Sequence, residues 1–164
     1  MPKGAPVRTL IVEPDDTLLP VLGLITMATR SIDVKQFTLD EPRIVAALLD
    51  AHRRGVAVRA MLNPHRSSGS RANDDTYAAF EAAKLPVQWT NPAFAVTHEK
   101  SMVIDGDRAL IATFNFDGKY FTETRDYGIV TTDPAQVAQV RQGFEADWQR
   151  AAFAPDEHAR LLWS

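Results

Sequence analysis

Cysteine is missing from all 164 positions of this chain. The protein therefore forms no disulfide, no cysteine-ligated zinc ribbon and no thiol nucleophile. Long apolar runs are missing too, because the longest weakly polar stretch is residues 18–28, which is too short to cross a bilayer. The first residues also lack the apolar core of a secretory signal. These features predict no stable membrane insertion and favour a cytoplasmic location, with a leader removed earlier as the open alternative.

An excess of positive charge is also missing, since the formal net charge is −3 at pH 7. Domains that bind duplex nucleic acid tightly and without sequence preference are usually basic, so the overall charge disfavours that class. A hydrophobic content of 45% and a charged content of 24% are typical of a soluble globular protein, and the length predicts one domain. Basic residues nevertheless cluster in one part of the sequence: Arg53, Arg54, Arg59, His65, Arg66 and Arg71. The composition therefore leaves a local cationic site open.

Short apolar segments alternate with segments of helical character along the chain. Strands are predicted at residues 8–12, 31–37, 56–62, 86–90, 102–104, 109–112 and 125–131. Helices are predicted at residues 17–30, 40–54, 73–84, 133–148 and 155–163. This alternation predicts an α/β fold with a mixed, largely parallel sheet that is flanked by helices on both faces. No internal repeat or linker interrupts it, so residues 1–164 are predicted to form a single domain.

The most informative motif is a spaced set of polar residues. His98, Lys100 and Asp105 have the spacing H-x-K-x-x-x-x-D, and Asn115 lies ten residues after Asp105. In this composition the spacing is expected by chance about 0.01 times, and adding the asparagine lowers this to about 0.0003. The apolar runs on either side of the turn that begins at Asp105 predict a hairpin. Alternation along the first strand puts His98 and Lys100 on one face of that strand. By the same rule, Thr113 and Asn115 share one face of the second strand.

This motif resembles the signature of the phospholipase D superfamily, whose members break phosphodiester bonds through a histidine. The helix-to-strand passage at residues 53–59 is also similar to that family, and the resemblance covers about residues 9–150. It implies a phospholipase D-like fold for one domain, residues 1–164, with one motif at 98–105 that extends to 115. Most enzymes of the family need two copies of the motif, whereas this chain carries one.

One part of the motif departs from the family pattern. The usual Gly-Ser-x-Asn reads Ala112-Thr113-Phe114-Asn115 here. Thr113 keeps a hydroxyl that can donate a hydrogen bond. Ala112 adds a methyl group that could tighten the pocket or alter substrate fit. The departure therefore bears on how a substrate fits beside the motif.

The chemistry of a phosphodiester suggests a role for each polar residue. The substrate is anionic and hydrolyses slowly, so a catalyst must position it and neutralise its charge. Lys100 supplies a positive charge beside His98, while Asn115 and Thr113 supply donors for phosphoryl oxygens. A neutral nitrogen of His98 attacks phosphorus and forms a phosphohistidine, provided that an acceptor holds the other ring nitrogen. The family places a carboxylate, usually Glu, at the position of Asp126, which is one methylene shorter.

In-line displacement also needs an acid on the leaving-group side, and one histidine cannot do both jobs at once. The resemblance implies that two motifs face each other across a pseudo-twofold axis. With one motif per chain, the expected active species is a homodimer that supplies His98 twice. No cofactor is expected. A metal site made from His98, Asp105 and Asp107 is disfavoured because the cation of Lys100 would repel the metal ion, so metal-independent catalysis is expected.

The remaining candidates are turn and loop residues. Asp105 is interpreted as a structural turn residue rather than a catalytic carboxylate, by about two to one, because turn aspartates are common. His65 and Arg66 lie in a polar loop, residues 63–71, after a predicted central strand, where ligand sites often form. A lip that grips phosphates and a solvated connection have equal weight for this loop. Gln36, near the end of another strand, is a further candidate for lining the pocket.

Three functions are consistent with these residues. The favoured one is a metal-independent phosphodiesterase acting on nucleic acid, similar to the small one-motif nucleases of the superfamily, with an endonuclease as the first choice. The second is a phospholipid phosphodiesterase or phosphatidyl transferase, although no basic amphipathic helix is evident. The third is a non-catalytic phospholipase D-like domain or one half of a longer two-motif protein. Intact His98, Lys100 and Asn115 argue against loss of catalysis.

Overall fold

In residues 5–65 and 68–161, which a computed structural model describes, seven strands form one sheet. In chain order the elements are β1 (Arg8–Glu13), α1 (Leu19–Met27), β2 (Ser31–Gln36), α2 (Pro42–Arg53), β3 (Ala57–Leu62), α3 (Asp74–Ala82), β4 (Val87–Trp89), β5 (Lys100–Ile104), β6 (Arg108–Ala112), β7 (Asp126–Thr131) and α4 (Pro134–Trp148). Short 3-10 helices lie at Gly118–Phe121 and Glu157–Ala159. The strands follow the order β1-β7-β6-β5-β2-β3-β4 across the sheet.

The sheet is mixed, and most of its strand pairs are antiparallel. Strands β2, β3 and β4 run parallel, whereas the other four pairings of the described strands are antiparallel. The mixed α/β class is confirmed, but the prediction of a largely parallel sheet is wrong. Helices α2 and α3 return the chain so that the next strand runs in the same direction. The short turn between β5 and β6 and the longer segment between β6 and β7 instead reverse the chain.

Helices cover both faces of this sheet, as predicted. Along β5, Met102 and Ile104 pack into the larger apolar cluster together with residues of α1 and α2. Val103 points to the other face and packs there with Val137 and Val140 of α4. This division follows from the two-residue period of a strand. The structure therefore has two apolar layers, one on each side of β5.

The first helix is shorter than the predicted residues 17–30. The side chain of Asp16 accepts a hydrogen bond from the backbone of β1 at 2.8 Å, so it closes a turn instead of capping the helix. At the other end, the carboxylate of Asp105 accepts hydrogen bonds from the amides of Thr29 and Arg30. These bonds to a distant residue hold both positions outside the helix.

Polar residues at the ends of several strands lie along one edge of the sheet. The carboxyl ends of β1, β2, β3 and β6 meet the amino ends of β5 and β7 there, because Glu13 pairs with Asp126 and Gln36 pairs with Lys100. The segment after β6 then crosses to the loop after β2 through an isolated bridge. This crossing brings Asn115 to the same edge. Among the described residues, no helix is both long and apolar enough to cross a membrane.

Candidate active site

His98 and Lys100 lie at the amino end of β5. The Nζ atom of Lys100 donates a hydrogen bond to the carbonyl oxygen of His98 at 2.6 Å. The ring of Phe37 packs edge-on against the ring of His98, with the centroids 4.8 Å apart. The same Phe37 ring lies 5.3 Å from Nζ of Lys100, a cation–π distance. One aromatic side chain therefore holds both motif residues at the polar edge of the sheet.

Burial sets the protonation of these two residues. Removal from water lowers the pKa of Lys100 to about 8, and the negative charge of Asp126 opposes part of this shift. Burial, together with the cation of Lys100, also lowers the pKa of His98 below its usual value. A neutral imidazole carries a free nitrogen lone pair, so at neutral pH His98 can act as a nucleophile. Lys100 is still mostly charged at that pH and can neutralise a phosphate.

Several buried polar atoms at this edge have no hydrogen-bond partner among the described residues. They are both amide atoms of Gln36, the hydroxyl of Thr38 and Oδ1 of Asn115. Unpaired buried polar groups are costly, and in native proteins they are usually satisfied by the protein, by water or by a ligand. The placement is compatible with the predicted binding roles of Gln36 and Asn115. Thr38 is an addition that the sequence did not single out.

Asp126 is held by two hydroxyl groups. Oγ1 of Thr113 donates to one carboxylate oxygen and Oγ1 of Thr124 donates to the other, each at 2.7 Å. The amide of Tyr127 donates in turn to Oγ1 of Thr113 at 3.0 Å. The hydroxyl proton of Thr113 is therefore engaged with Asp126 instead of facing a phosphate. No hydrogen bond joins Asp126 to His98 among the described residues, so the contact between them that the sequence predicts stays a prediction.

Asp105 lies at the far end of β5, away from His98. Its carboxylate accepts hydrogen bonds from the amides of Thr29, Arg30 and Ser31. Burial by itself would raise the pKa of Asp105, but these hydrogen bonds outweigh burial and lower the pKa to about 2. The structure thus leaves Asp105 outside the group around His98. In the described part of the chain, no set of three or more histidine, aspartate or glutamate side chains is placed to hold a metal ion.

His65 follows β3 at the same edge as His98, with an exposed side chain. Its carbonyl oxygen accepts a hydrogen bond from Nδ2 of Asn63 at 2.5 Å. Oδ1 of Asn63 accepts another from the amide of Thr97 at 2.9 Å. Asn63 therefore ties the predicted lip to the segment that carries His98, a role that a single asparagine after a strand does not reveal in sequence. Arg66 lies outside the described residues.

A group of three charged side chains, of which the lysine is buried and the two carboxylates are partly exposed, lies behind this segment. Nζ of Lys35 donates to Oε2 of Glu99 at 2.7 Å and to Oδ2 of Asp147 at 2.6 Å, and Lys35 is 1% exposed. Lys35, Glu99 and Asp147 form one cluster, the Lys35 cluster. Its ion pairs hold Glu99, which lies between the two motif residues in sequence, against α4. A groove of about 670 Å³ opens beside the cluster and is also lined by His98. The sequence did not reveal the cluster, because a lysine in an alternating strand normally points to solvent.

The comparison with protein families agrees with this arrangement. The family model described as "Cardiolipin synthase, PLD-like domain" matches residues 21–148, which include the whole motif and most of the sheet. The chain therefore belongs to the phospholipase D-like family. The resemblance drawn from the spacing of His98, Lys100 and Asp105 is thereby confirmed.

Individual relatives carry different names. The chain is similar to mitochondrial cardiolipin hydrolase of Chlamydomonas reinhardtii, with 28% identity over 127 residues that cover 77% of this chain and 55% of that protein. It is also similar to 5′-3′ exonuclease PLD3 of Xenopus tropicalis, with 30% identity over 148 residues that cover 77% of this chain and 29% of that protein. The chain thus spans about half of the first relative and less than a third of the second.

A solved structure supports the fold. Nuc of Salmonella typhimurium, described as a phospholipase D family member, superposes with a TM-score of 0.80 at 21% identity. The match covers 92% of this chain and 99% of that chain. At this identity the likeness bears on the fold alone, and it confirms the phospholipase D-like architecture.

Proposed function

We propose that this protein is a metal-independent phosphodiesterase that acts through His98. The observation that carries the proposal is the exposed imidazole of His98, whose lowered pKa keeps it neutral, beside the cation of Lys100 at an edge with unpaired buried polar atoms. In the first step a nitrogen of His98 attacks phosphorus, and the bond from phosphorus to the leaving oxygen breaks. In the second step water attacks the phosphohistidine, and the phosphorus–nitrogen bond breaks. Lys100 and Asn115 bind the phosphoryl oxygens throughout.

The remaining site residues serve this displacement. Asp126 accepts a hydrogen bond from the N–H group of the other ring nitrogen of His98 and so keeps the attacking nitrogen free. Gln36 and Thr113 contribute donors at the polar edge, and the lip with His65 and Arg66 grips the flanking phosphates. Thr113 can take this role only after its hydroxyl leaves Asp126.

The acid for the leaving group comes from a second copy of the chain. His98 of that copy, which the nearby phosphodiester anion favours in its protonated form, gives its proton to the leaving oxygen and then takes a proton from the attacking water. The exposed surface supports a homodimer, because Leu10, Tyr127 and Ile129 are 57%, 48% and 45% exposed. Leu10 pairs with Ile129 across the two strands, and Tyr127 is two residues away, so all three share one face of the sheet. Contiguous exposed apolar side chains of this kind often mark an interface.

Nucleic acid is the proposed substrate, with an endonuclease as the first choice. One relative that is named as an exonuclease supports this choice. A phospholipid is the second candidate, because other relatives are named as cardiolipin hydrolases and the groove beside His98 has many apolar lining residues, among them Phe94, Val96 and Ile111.

The test is cleavage in excess EDTA of single-stranded DNA, duplex DNA, RNA, cardiolipin vesicles, phosphatidylcholine vesicles and a chromogenic phosphodiester. Wild-type protein should cleave nucleic acid, and His98→Ala should lose at least about a thousandfold in rate with its fold intact. The matched control is His52→Ala on α2, which should keep full activity. Equal activity of His98→Ala, or a loss in EDTA that magnesium or zinc restores, would contradict the mechanism. Cleavage of lipid alone would support the second candidate, and no cleavage at all would support a non-catalytic domain.

A further inference from the structure

Glu13 is a buried carboxyl group without a hydrogen-bond partner. It is the last residue of β1, its side chain is 0% exposed, and neither oxygen has a partner among the described residues. Ile11, two residues earlier on the same face, packs in the apolar core. An ionised carboxylate is strongly disfavoured in such surroundings, so the neutral acid is the expected form. Packing does not account for a glutamate here, because a leucine would fill this face without a buried polar group.

The charges that face Glu13 are mostly negative. Asp126 of β7 is its direct partner in the strand register, and Asp15 and Asp16 lie in the loop that follows. The pKa of Glu13 is raised from 4.5 to about 7. Burial is the largest cause, and the negative charges of Asp16, Asp126 and Asp15 add to it. The guanidinium of Arg125 forms an ion pair with Asp15 at 2.7 Å, so the positive charge of Arg125 is engaged by that carboxylate. Glu13 is therefore about half protonated near pH 7 and mostly protonated below it.

This proton lies next to the carboxylate of Asp126, whose proposed role is to orient His98. Asp126 uses both oxygens to accept the hydroxyls of Thr113 and Thr124. If Asp126 turns to His98 so that its bond to Thr113 breaks, that oxygen loses a donor, and the hydroxyl of Thr113 becomes free for a phosphoryl oxygen. A neutral Glu13 has the O–H group to replace that donor, whereas an ionised Glu13 would add a second negative charge beside Asp126.

We propose that Glu13 is a positioning residue of this site, whose neutral carboxyl group donates to Asp126 when Asp126 turns to His98 and releases Thr113. The inference rests on the proposed phosphodiesterase function. It assigns a role to the orphaned carboxyl group and accounts for an aspartate at position 126, because the residue on the neighbouring strand supports the shorter side chain.

The test compares Glu13→Gln, which keeps a neutral donor, with Glu13→Leu, which keeps only the packing. Both kcat and KM for a chromogenic phosphodiester are measured from pH 5.5 to 9.5. At pH 6, Glu13→Gln should retain kcat within about threefold, whereas Glu13→Leu should lose about tenfold, the worth of one hydrogen bond to a charged group. In wild type, deprotonation of Glu13 should make kcat/KM fall above about pH 7. In Glu13→Gln this fall should move to about pH 8, where Lys100 loses its proton.

The matched control is Glu41→Gln, because Glu41 is a buried carboxylate that is paired with Arg43. Its stability should change, but its pH profile should not. Wild-type behaviour of Glu13→Leu, an unshifted alkaline fall in Glu13→Gln, or equal damage in both Glu13 variants would overturn the inference while leaving the proposed function intact. A wild-type protein without activity would overturn the proposed function, and this inference with it.

Discussion

Ionisable residues at the two ends of β5 have pKa values that their surroundings shift for different reasons. At the amino end, burial lowers the pKa of Lys100 to about 8 and also lowers that of His98. At the other end, hydrogen bonds from three backbone amides outweigh burial and lower the pKa of Asp105 to about 2. The first pair bears on the proposed chemistry, whereas Asp105 bears on stability, because its bonds join the hairpin turn to the segment after α1.

Replacing Asp105 should separate these two effects. Asp105→Asn should destabilise the fold by about 2 kcal/mol at pH 7 and leave the rate of phosphodiester cleavage unchanged. Because the folded-state pKa is below the unfolded value of 3.8, this stability is present above about pH 4 and is lost as the pH falls through about 2. Urea unfolding should therefore show wild type and variant converging in strongly acidic buffer.

The neighbouring Asp107→Asn is the control for this prediction. Asp107 is 44% exposed and pairs with Arg30 and Arg108, so its loss should cost no more than about 0.5 kcal/mol. If Asp105→Asn kept wild-type stability but lost activity, the carboxylate would be catalytic instead.

At the scale of elements, the Lys35 cluster connects three parts of the fold. Lys35 lies on β2, Glu99 directly precedes β5, and Asp147 lies near the end of α4. The cluster therefore fixes α4 against the sheet close to His98, which lies just before β5. A buried ion pair adds little net stability, but removing one partner leaves uncompensated charge behind.

Lys35→Met should therefore destabilise the protein by about 3 kcal/mol, because Glu99 and Asp147 would repel each other without a cation. Neutralising both carboxylates in the same chain, with Glu99→Gln and Asp147→Asn, should recover most of that loss. Lys119→Met is the surface control and should stay within about 0.5 kcal/mol of wild type. Urea unfolding measures all three variants, and a fully stable Lys35→Met would contradict the role of the cluster.

At the scale of the whole molecule, the proposed active species is larger than one chain. One motif supplies one histidine, and the exposed apolar side chains of Leu10, Tyr127 and Ile129 give a face that a second copy can cover. A symmetric interface would let each chain supply the acid for the other.

Mixing chains should test this shared site. An excess of His98→Ala chains, exchanged with wild type, should form heterodimers with one competent histidine, so activity should fall faster than dilution predicts. Ile129→Lys should weaken association and lower activity in proportion to the dimer seen by light scattering. A monomer with full activity at assay concentration would contradict the homodimer. An internal acid would then be needed, and His65 would be the first residue to replace.

The sequence by itself determined the family, the mixed α/β class and the candidate residues of the motif. His98, Lys100 and Asn115 stand at fixed spacings, and the two-residue period of a strand carries that spacing directly into space. Helix positions were also predictable where local chemistry marks them. Asp133, for example, accepts hydrogen bonds from the first amides of α4, as a capping aspartate does.

Only the tertiary structure decided which distant segments meet. Pairing of β1 with β7 joins residues more than a hundred positions apart, and no local signal gives its antiparallel direction. The same pairing sets Glu13 beside Asp126, and the packing of α4 turns Lys35 from an apparent surface residue into a buried one. Burial and charge environment depend on the sum of such contacts, so the protonation states at this site follow from the fold and not from the order of residues along the chain.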